Sequence, residues 1–335
     1  MTNTSDIQVA ARGIFVLQMN VTDRCNLRCT HCYQGDSLSN EMTLDQLLYV
    51  VDQFRSFCGT QGCAGQINFT GGEPFVRKDF IDLLETVTSL TPSLRFAIMT
   101  NGTLLTDKLA EKIALLRPVA VQISIDGSET THDHIRGKGN YSKALCGLKC
   151  LHAHGVRSVI SFTAHQQNFR DFPLVVKAAR QASAARVWTD RLVPCGKGDH
   201  MRIMTPAQTQ EFFNIVYQEQ VFCAGYEGIT TTVDMRRSLQ FLVAGGRPYR
   251  CSAGERLLAI MPDGLVYPCR RLPIAIGNVL STSLKDIYQN AQAALQRTAP
   301  CTSCQHRTAC SGGSRCLAYA TSGSLSTPDP GCWLY

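Results

Sequence analysis

The sequence predicts an α/β fold in which a parallel barrel, or part of one, precedes a small cysteine-rich domain. Apolar, partly β-branched runs alternate six times with segments of helical spacing, and this alternation implies parallel strands joined by right-handed crossovers. Polar or glycine-bearing motifs follow these runs, at the strand ends where such barrels carry out their chemistry. After about Gly245 the long helices end, and glycines, prolines and cysteines become more frequent.

The predicted elements follow from two periodicities. The strands are apolar runs that each lead into a loop, and we place them at residues 14–21, 66–70, 94–100, 119–125, 156–163 and 185–193. The helices have an apolar face at three- and four-residue spacing, and we place them at 43–57, 80–90, 106–116, 141–154, 169–182 and 206–223. Thr43 is the expected cap of the first helix, and Thr205-Pro206 begins the last one.

Three domains are expected along the chain. Residues 1–13 form a polar tail, residues 14–245 form the barrel, and residues 246–335 form the cysteine-rich domain. In this last domain a hairpin is predicted from residues 257–261 and 265–267 around Pro262-Asp263-Gly264. The proposed boundary is Gly245-Gly246.

Composition excludes several classes of function. With 44% apolar and 18% charged residues the chain is predicted to be globular. The net charge of +7 is spread along the chain, so no nucleic-acid groove is expected. No apolar run approaches the roughly 18 residues of a membrane span, and residues 1–13 lack a signal-peptide pattern, so a cytoplasmic location is expected. In such a chain the 16 cysteines indicate metal ligands rather than disulfides.

The first candidate site is a loop with three cysteines, Cys25-Asn-Leu-Arg-Cys29-Thr-His-Cys32. Soft thiolates this close in sequence favour zinc or an iron–sulfur cluster, and three ligands leave one metal position open for a substrate. A structural zinc site with its fourth ligand elsewhere is the alternative.

With the aromatic residue His31 before its last cysteine, this loop resembles the signature of the radical SAM family. The resemblance implies that Cys25, Cys29 and Cys32 hold three irons of a four-iron, four-sulfur cluster. It also implies that the fourth iron binds S-adenosylmethionine, which is cleaved by one electron to a 5′-deoxyadenosyl radical. Six strand–helix units agree with the partial (β/α)6 TIM-like barrel of that family.

Further motifs are candidates for cofactor contacts. In Gly71-Gly72-Glu73-Pro74 the glycines let backbone groups approach a ligand, and Glu73 offers an acceptor that the resemblance assigns to the methionyl amine. The planar guanidinium of an arginine matches a carboxylate, so Arg136 is predicted to bind the carboxylate of the cofactor. Ser124 offers a hydroxyl to the same group. Asp126 is predicted to accept from the ribose or to anchor its loop. Asn101 either forms part of a turn or contacts the cofactor. The alternative for Ser124 and Asp126 is a strand end followed by a turn, and for Arg136 it is a surface ion pair.

The later cysteines resemble the SPASM extension, which holds two auxiliary iron–sulfur clusters. The resemblance implies that the outer cluster is bound by Cys301, Cys304, Cys310 and Cys332. It implies that the inner cluster is bound by Cys251, Cys269 and Cys316. Ser314 occupies the position at which the family has its last inner ligand, so the inner cluster has at most three thiolates. The inner cluster could therefore have an open iron, a non-cysteine ligand or fewer irons. For the outer cysteines, a zinc ribbon is the alternative to a cluster.

A last group of residues follows the sixth predicted strand. Cys195, with Asp190 and Arg191, is a candidate substrate shell, because a thiol there could give a hydrogen atom to a substrate radical, as epimerising family members do. A packing role for Cys195 is the alternative.

We expect hydrogen-atom abstraction from a ribosomally made peptide, giving oxidation, a crosslink or epimerisation. A dehydrogenase or epimerase of a sugar, aminocyclitol or other metabolite is the second hypothesis, and a non-catalytic iron–sulfur scaffold is the third. An electron donor such as flavodoxin or ferredoxin is an expected partner. Only 24 residues precede Cys25, too few for the peptide-binding domain of many peptide maturases, so leader recognition is expected to use a separate leader-binding protein or none. Sulfatase-maturing relatives have an acidic residue directly after the cysteine that Cys269 resembles. Here Arg270-Arg271 follow Cys269, which disfavours that reaction and indicates an anionic substrate.

Overall fold

The computed structural model describes residues 13–34, 40–90, 93–234, 238–295 and 301–335. Most of the predicted tail therefore lies outside the described residues. In the described part, one mixed sheet of ten strands has the order β10-β9-β8-β1-β2-β3-β4-β5-β6-β7. Seven parallel strands form the open partial barrel, and they are β1 (Ile14–Asn20), β2 (Ala64–Thr70), β3 (Leu94–Thr100), β4 (Val121–Ser124), β5 (Ser158–Ala164), β6 (Arg186–Arg191) and β7 (Thr232–Asp234).

The helices follow the strands as crossovers. They are α1 (Leu44–Gln61), α2 (Phe80–Ser89), α3 (Asp107–Leu116), α4 (Glu129–Arg136), α5 (Asn140–Ala153), α6 (Phe172–Gln181) and α7 (Pro206–Gly225), with a short α8 (Phe241–Ala244) after β7. Thr43 and Thr205 begin α1 and α7 with capping boxes, each using a glutamine three residues on. These two capping predictions are confirmed. Gly62 ends α1 in the left-handed conformation, with φ of 61°.

The C-terminal segment extends the same sheet. Strand β8 (Leu257–Ile260) pairs parallel to β1, and the hairpin continues through β9 (Leu265–Tyr267) to β10 (Gly277–Asn278). Helices α9 (Leu284–Ala294), α10 (Arg307–Cys310) and α11 (Arg315–Ser322) complete it. The predicted hairpin is confirmed, and its pairing with β1 continues the hydrogen-bonded sheet past the proposed boundary.

Strand register brings the motifs to one edge of the sheet. Asn20 of β1 pairs with Thr70 of β2, and Thr100 of β3 pairs with Ile123 of β4. The loops that leave these strands therefore meet above the barrel, while phenylalanines such as Phe69 and Phe162 fill the core between sheet and helices. None of the helices in the described ranges is long and apolar enough to cross a membrane.

Several predicted boundaries were wrong. Arg136 lies outside every helix that the sequence predicts but is the last residue of α4, because Ser128 caps an additional helix directly after β4. The sixth strand ends at Arg191 rather than at Val193, and β7 was not predicted. The polar segment of α4 lacks the apolar periodicity on which the helix predictions depended, since its buried residues are only His132 and Ile135.

Candidate functional site

The loop with Cys25, Cys29 and Cys32 leaves β1 and is bound by backbone hydrogen bonds to the Gly71-Gly72 turn. The Gly72 amide donates to the Thr22 carbonyl at 2.8 Å, and the Glu73 amide donates to the Arg24 carbonyl at 2.9 Å. A Cβ atom at Gly72 would lie 2.3 Å from the Arg24 carbonyl oxygen. Glycine is therefore required for the turn and the cysteine loop to approach each other this closely.

All three cysteines line one cavity of about 390 Å³ at the carboxyl ends of the strands, which we call the upper cavity. Its volume lies in the range of small-molecule sites. Of the predicted cofactor contacts, those that line it are His31, Gly71, Gly72, Asn101, Ser124 and Arg136. Within the described ranges, no three His, Cys, Asp or Glu side chains lie where they could hold a single metal ion.

Hydrogen-bond donors surround the thiols of this loop. The Leu27 amide lies 3.4 Å from Cys25 Sγ, and the Asn101 side-chain amide lies 3.9 Å from the same atom. An Arg136 guanidinium nitrogen lies 3.8 Å from Cys29 Sγ. Burial raises the pKa of both thiols. At Cys29 the charge of Arg136 reduces this rise without cancelling it. Partly buried thiols that face a cavity, with donors beside them, fit ligands of an iron–sulfur cluster, which binds thiolates.

Asp126 is fully buried and holds two residues of the cavity wall. Its Oδ2 atom accepts from His31 Nε2 at 2.8 Å and from Arg136 Nε at 2.5 Å, and its Oδ1 atom accepts from the Thr163 amide at 3.0 Å. Burial raises its pKa, but the charge of Arg136 together with the charges and hydrogen bond of the neighbouring histidines outweighs that effect and holds the pKa well below its usual range. Asp126 therefore orients Arg136 and His31 and is not itself among the cavity-lining residues.

Glu73 is likewise fully buried and is not among the cavity-lining residues. Its carboxylate accepts from the Asn101 amide and from Thr100 Oγ1, each at 2.8 Å, and from the Phe75 amide at 3.3 Å. Burial raises its pKa to about 7 despite these hydrogen bonds. In this structure Glu73 joins the β2 and β3 loops, and Pro74 is buried beside it. Its predicted contact with the methionyl amine stays a prediction.

A second cavity of about 640 Å³, the lower cavity, occupies the barrel interior below the first. Six residues border both cavities, and we call them the boundary layer: Met99, Gln122, Trp188, Asp190, Arg270 and Arg271. Trp188 Nε1 donates to Gln122 Oε1 at 2.8 Å across β4 and β6. Three of these residues, Met99, Gln122 and Trp188, were not predicted from the sequence. The signal that could have found this layer is the alternation of polar with buried apolar residues along β4, β5 and β6.

The inner cysteines Cys251, Cys269 and Cys316 come together at the lower cavity. Hydrogen bonds with Cys316 lower the pKa of Cys251 and of Cys269, and raise that of Cys316 well above its usual value. Ser314 caps α11 through its hydroxyl group, and Cys316 lies in the first turn of that helix. The shift of two residues from the family position therefore still brings a thiol to the other two.

The outer cysteines also share one place. A small cavity of about 20 Å³ is lined by Cys301, Cys304, Cys310 and Cys332, together with Asp329 and residues of α8. Burial raises the pKa of Cys310 and of Cys332. Four thiols around one small cavity fit the ligand set of an iron–sulfur cluster.

The candidate substrate shell is split. Asp190 borders both cavities and is paired with Arg271. The guanidinium of Arg191 is bound by Asp329 through two hydrogen bonds of 2.8 and 2.6 Å and is buried. Cys195 packs against the group that contains Cys269, and it is not among the residues that line either cavity. The catalytic roles of these residues stay predictions.

Comparison with known proteins agrees with this arrangement. The sequence model of the family described as the Radical SAM superfamily matches residues 19–179. That of SPASM, an iron-sulfur cluster-binding domain, matches residues 251–311. The first range contains the cysteine loop and β2 to β5. The second contains the inner cysteines Cys251 and Cys269 and the outer cysteines Cys301, Cys304 and Cys310, while Cys316 and Cys332 follow it.

Two curated relatives match almost the whole chain. Mycofactocin maturase MftC of Mycolicibacterium smegmatis is 30% identical over 340 residues, which cover 94% of this chain and 82% of that protein. AdoMet-dependent heme synthase of Methanosarcina barkeri is 27% identical over 350 residues, 95% of each protein.

Two solved structures share the fold. SuiB of Streptococcus suis bound to S-adenosylmethionine has a TM-score of 0.77 at 16% identity and covers 96% of this chain and 78% of that one. The enzyme anSMEcpe with bound AdoMet and the Cp18Cys peptide has a TM-score of 0.75 at 18% identity, with coverage of 96% and 94%.

Proposed function

Because this chain belongs to the radical SAM superfamily and carries a SPASM domain, we propose that it is an enzyme that abstracts a hydrogen atom from a ribosomally made peptide. Oxidation, a crosslink or epimerisation would follow. When bound in the upper cavity, a four-iron, four-sulfur cluster with S-adenosylmethionine supplies a 5′-deoxyadenosyl radical for that step. The observation that supports the peptide is the 30% identity to mycofactocin maturase MftC over 94% of this chain.

In this proposal Cys25, Cys29 and Cys32 hold the first cluster. The backbone of Gly71 and Gly72 borders the same cavity, and so do the side chains of Ser124, Asn101 and Arg136. Asp126 holds Arg136 through its Nε atom, so the terminal nitrogens of the guanidinium face the cavity, where they could bind a carboxylate. The structure supports these assignments by lining one cavity with all of these groups.

Two auxiliary clusters complete the proposal. Cys301, Cys304, Cys310 and Cys332 would hold the outer one, and Cys251, Cys269 and Cys316 the inner one. Three thiols leave the inner cluster with an open iron, a non-cysteine ligand or fewer irons. The cysteines of both sets are partly or fully buried, which would limit the access of water to a bound cluster. An electron donor such as reduced flavodoxin or ferredoxin is required, and a separate leader-binding protein is a further proposed partner.

The first experiment tests cluster binding and cofactor cleavage together. We expect anaerobically reconstituted protein, reduced with dithionite, to convert S-adenosylmethionine into 5′-deoxyadenosine. Cys29→Ala should abolish this product and lower the iron content. Cys63→Ala is the matched control, because Cys63 packs against the core behind α1 and should leave both values unchanged. Fully loaded protein that forms no 5′-deoxyadenosine would favour the non-catalytic scaffold.

The second experiment tests the substrate class. The protein is incubated with peptides encoded by short reading frames beside its gene, and mass spectrometry follows changes in peptide mass. A mass loss of two hydrogens, or deuterium uptake from the solvent at one α-carbon, supports peptide modification. Unchanged peptides, with cofactor cleavage stimulated instead by a small molecule, would overturn it.

A small-metabolite substrate is the second candidate function. The observation that favours it is the similarity to AdoMet-dependent heme synthase, which spans 95% of both chains. Sugars and aminocyclitols belong to the same alternative. Stimulation of 5′-deoxyadenosine formation by a metabolite extract from which peptides have been removed would distinguish it from the peptide proposal.

A further inference from the structure

Arg270 lies in the boundary layer and borders both cavities. One of its terminal nitrogens lies 3.1 Å from Thr70 Oγ1 and 3.2 Å from Met99 Sδ, and its guanidinium lies 5.2 Å from the ring centre of Tyr33. None of these neighbours is anionic. Within the described ranges Arg270 has no carboxylate partner, and its Nε atom is buried without any hydrogen-bond acceptor.

The Nε atom of Arg271 is likewise buried without a hydrogen-bond acceptor, but the charge of Arg271 has a different environment. Its guanidinium is paired with Asp190 at 2.5 Å, and it also lies near the inner cysteines Cys269 and Cys316. The charge of Arg271 is therefore balanced by groups of the chain itself. The boundary layer as a whole retains one positive charge that its own carboxylate does not balance, and that charge is on Arg270.

A partly buried cation whose buried Nε atom makes no hydrogen bond is costly unless an anion completes it. The flat edge of a guanidinium, with Nε and one terminal nitrogen, matches the two oxygens of a carboxylate. A single uncompensated charge is complementary to a carboxylate, which carries one negative charge, better than to a phosphate ester, which carries up to two. The position in the barrel interior, between the cysteine loop and the inner cysteines, is where a substrate would be held.

We propose that Arg270 binds a carboxylate of the substrate, and this inference rests on the proposed function. A substrate held there extends from the lower cavity towards the cysteine loop, because Arg270 is exposed to both cavities. The carboxylate comes either from the C-terminus of a peptide or from an acidic side chain. Arg270 is thus a specificity-determining residue, distinct from Arg136, which is tied to Asp126.

The test measures binding of defined probes to reconstituted protein loaded with S-adenosylmethionine, by anaerobic equilibrium dialysis. The probes are N-acetylglycyl-phenylalanine, its C-terminal amide, N-acetylglutamyl-phenylalanine amide and phenyl phosphate. We expect at least one carboxylate probe to bind and the uncharged amide to bind at least tenfold more weakly. Tighter binding of the first probe assigns a C-terminal carboxylate, and tighter binding of the glutamyl probe assigns a side chain.

Variants then locate the binding group. Arg270→Gln should weaken carboxylate binding about 10- to 100-fold, the loss of a charge-assisted hydrogen bond. Arg270→Lys should restore part of it, because the charge remains but the planar fork is lost. Arg55→Gln removes an exposed arginine of α1 and should change nothing. Iron content and thermal unfolding must match the parent protein, which separates lost binding from misfolding.

Four results would overturn the inference: equal binding of acid and amide, no binding of either carboxylate probe, preferred binding of phenyl phosphate, or unchanged carboxylate binding in Arg270→Gln. A fifth is an equal loss of affinity for S-adenosylmethionine in that variant, which would assign Arg270 to the cofactor. The two proposals can fail separately. If the parent protein forms no 5′-deoxyadenosine but Arg270→Gln still weakens binding of the carboxylate probe, the proposed function is refuted while the assignment of Arg270 as a carboxylate-binding residue stands.

Discussion

The buried ion pair between Arg191 and Asp329 should connect the barrel to the C-terminal segment. Arg191 ends β6, and both of its terminal nitrogens contact the Asp329 carboxylate, at 2.8 and 2.6 Å. The two side chains are only 7% and 1% exposed. Asp329 also accepts from the amides of Ser314, at 2.9 Å, and Gly331, at 3.0 Å, so one carboxylate fixes three segments.

Asp329→Asn keeps the shape of this side chain but removes its charge. The buried guanidinium of Arg191 then loses its counter-ion, which destabilises folded proteins by about 3 to 5 kcal/mol. Adding Arg191→Met removes the stranded charge. The double variant should therefore be more stable than the sum of the two single variants predicts, with a coupling free energy of about 1 to 3 kcal/mol.

The assay is anaerobic urea unfolding of the parent, both single variants and the double variant, followed by circular dichroism. Glu211→Gln is the control, because it removes the partner of Arg170 in an exposed pair and should leave the unfolding midpoint unchanged. If Asp329→Asn unfolds at the same urea concentration as the parent, or if the two single effects simply add, the reasoning from burial is refuted.

Two other changes follow from the geometry. Gly72→Ala should displace the cysteine loop and lower the iron content by more than half, because the new Cβ would lie 2.3 Å from the Arg24 carbonyl oxygen. The control Gly59→Ala, whose Cβ meets no atom within 4 Å, should leave the iron content unchanged. Equal iron content in the two variants would contradict this prediction. Burial, assisted by Arg136, lowers the pKa of His132 to about 4. Since the unfolded chain then binds more protons than the native state, His132 contributes stability above about pH 6.5 that is lost as the pH falls towards 4, by up to about 1.4 kcal/mol per pH unit. His132→Gln should flatten the fall in urea midpoint between pH 6.5 and 5, and curves of identical slope would exclude this role.

Much of the fold was predictable because it depends on local patterns. Apolar runs, caps such as Thr43 and Thr205, and the turn at Gly264 act over a few residues, and the structure reproduces them within a few positions. Helix α4 was missed because its packing, rather than its apolar periodicity, stabilises it.

The candidate site was predictable only in part. Strand ends were correctly expected to converge, since parallel strands in register deliver their following loops to one edge. The direction of individual side chains was not predictable. Asp126 and Glu73 bind neighbouring loops with their carboxylates, and Cys195 packs against the group that contains Cys269.

The sequence by itself was enough to predict the chemistry of this protein, because three cysteines within eight residues favour a metal-binding loop whatever surrounds them. Only the tertiary structure decided which distant groups share a space. It brought Cys316 to Cys251 and Cys269, and it placed Arg270 between two cavities without a carboxylate partner among the described residues. The physical reason is that ligand spacing is a property of a short segment. Burial and charge balance instead depend on contacts between residues that can be hundreds of positions apart.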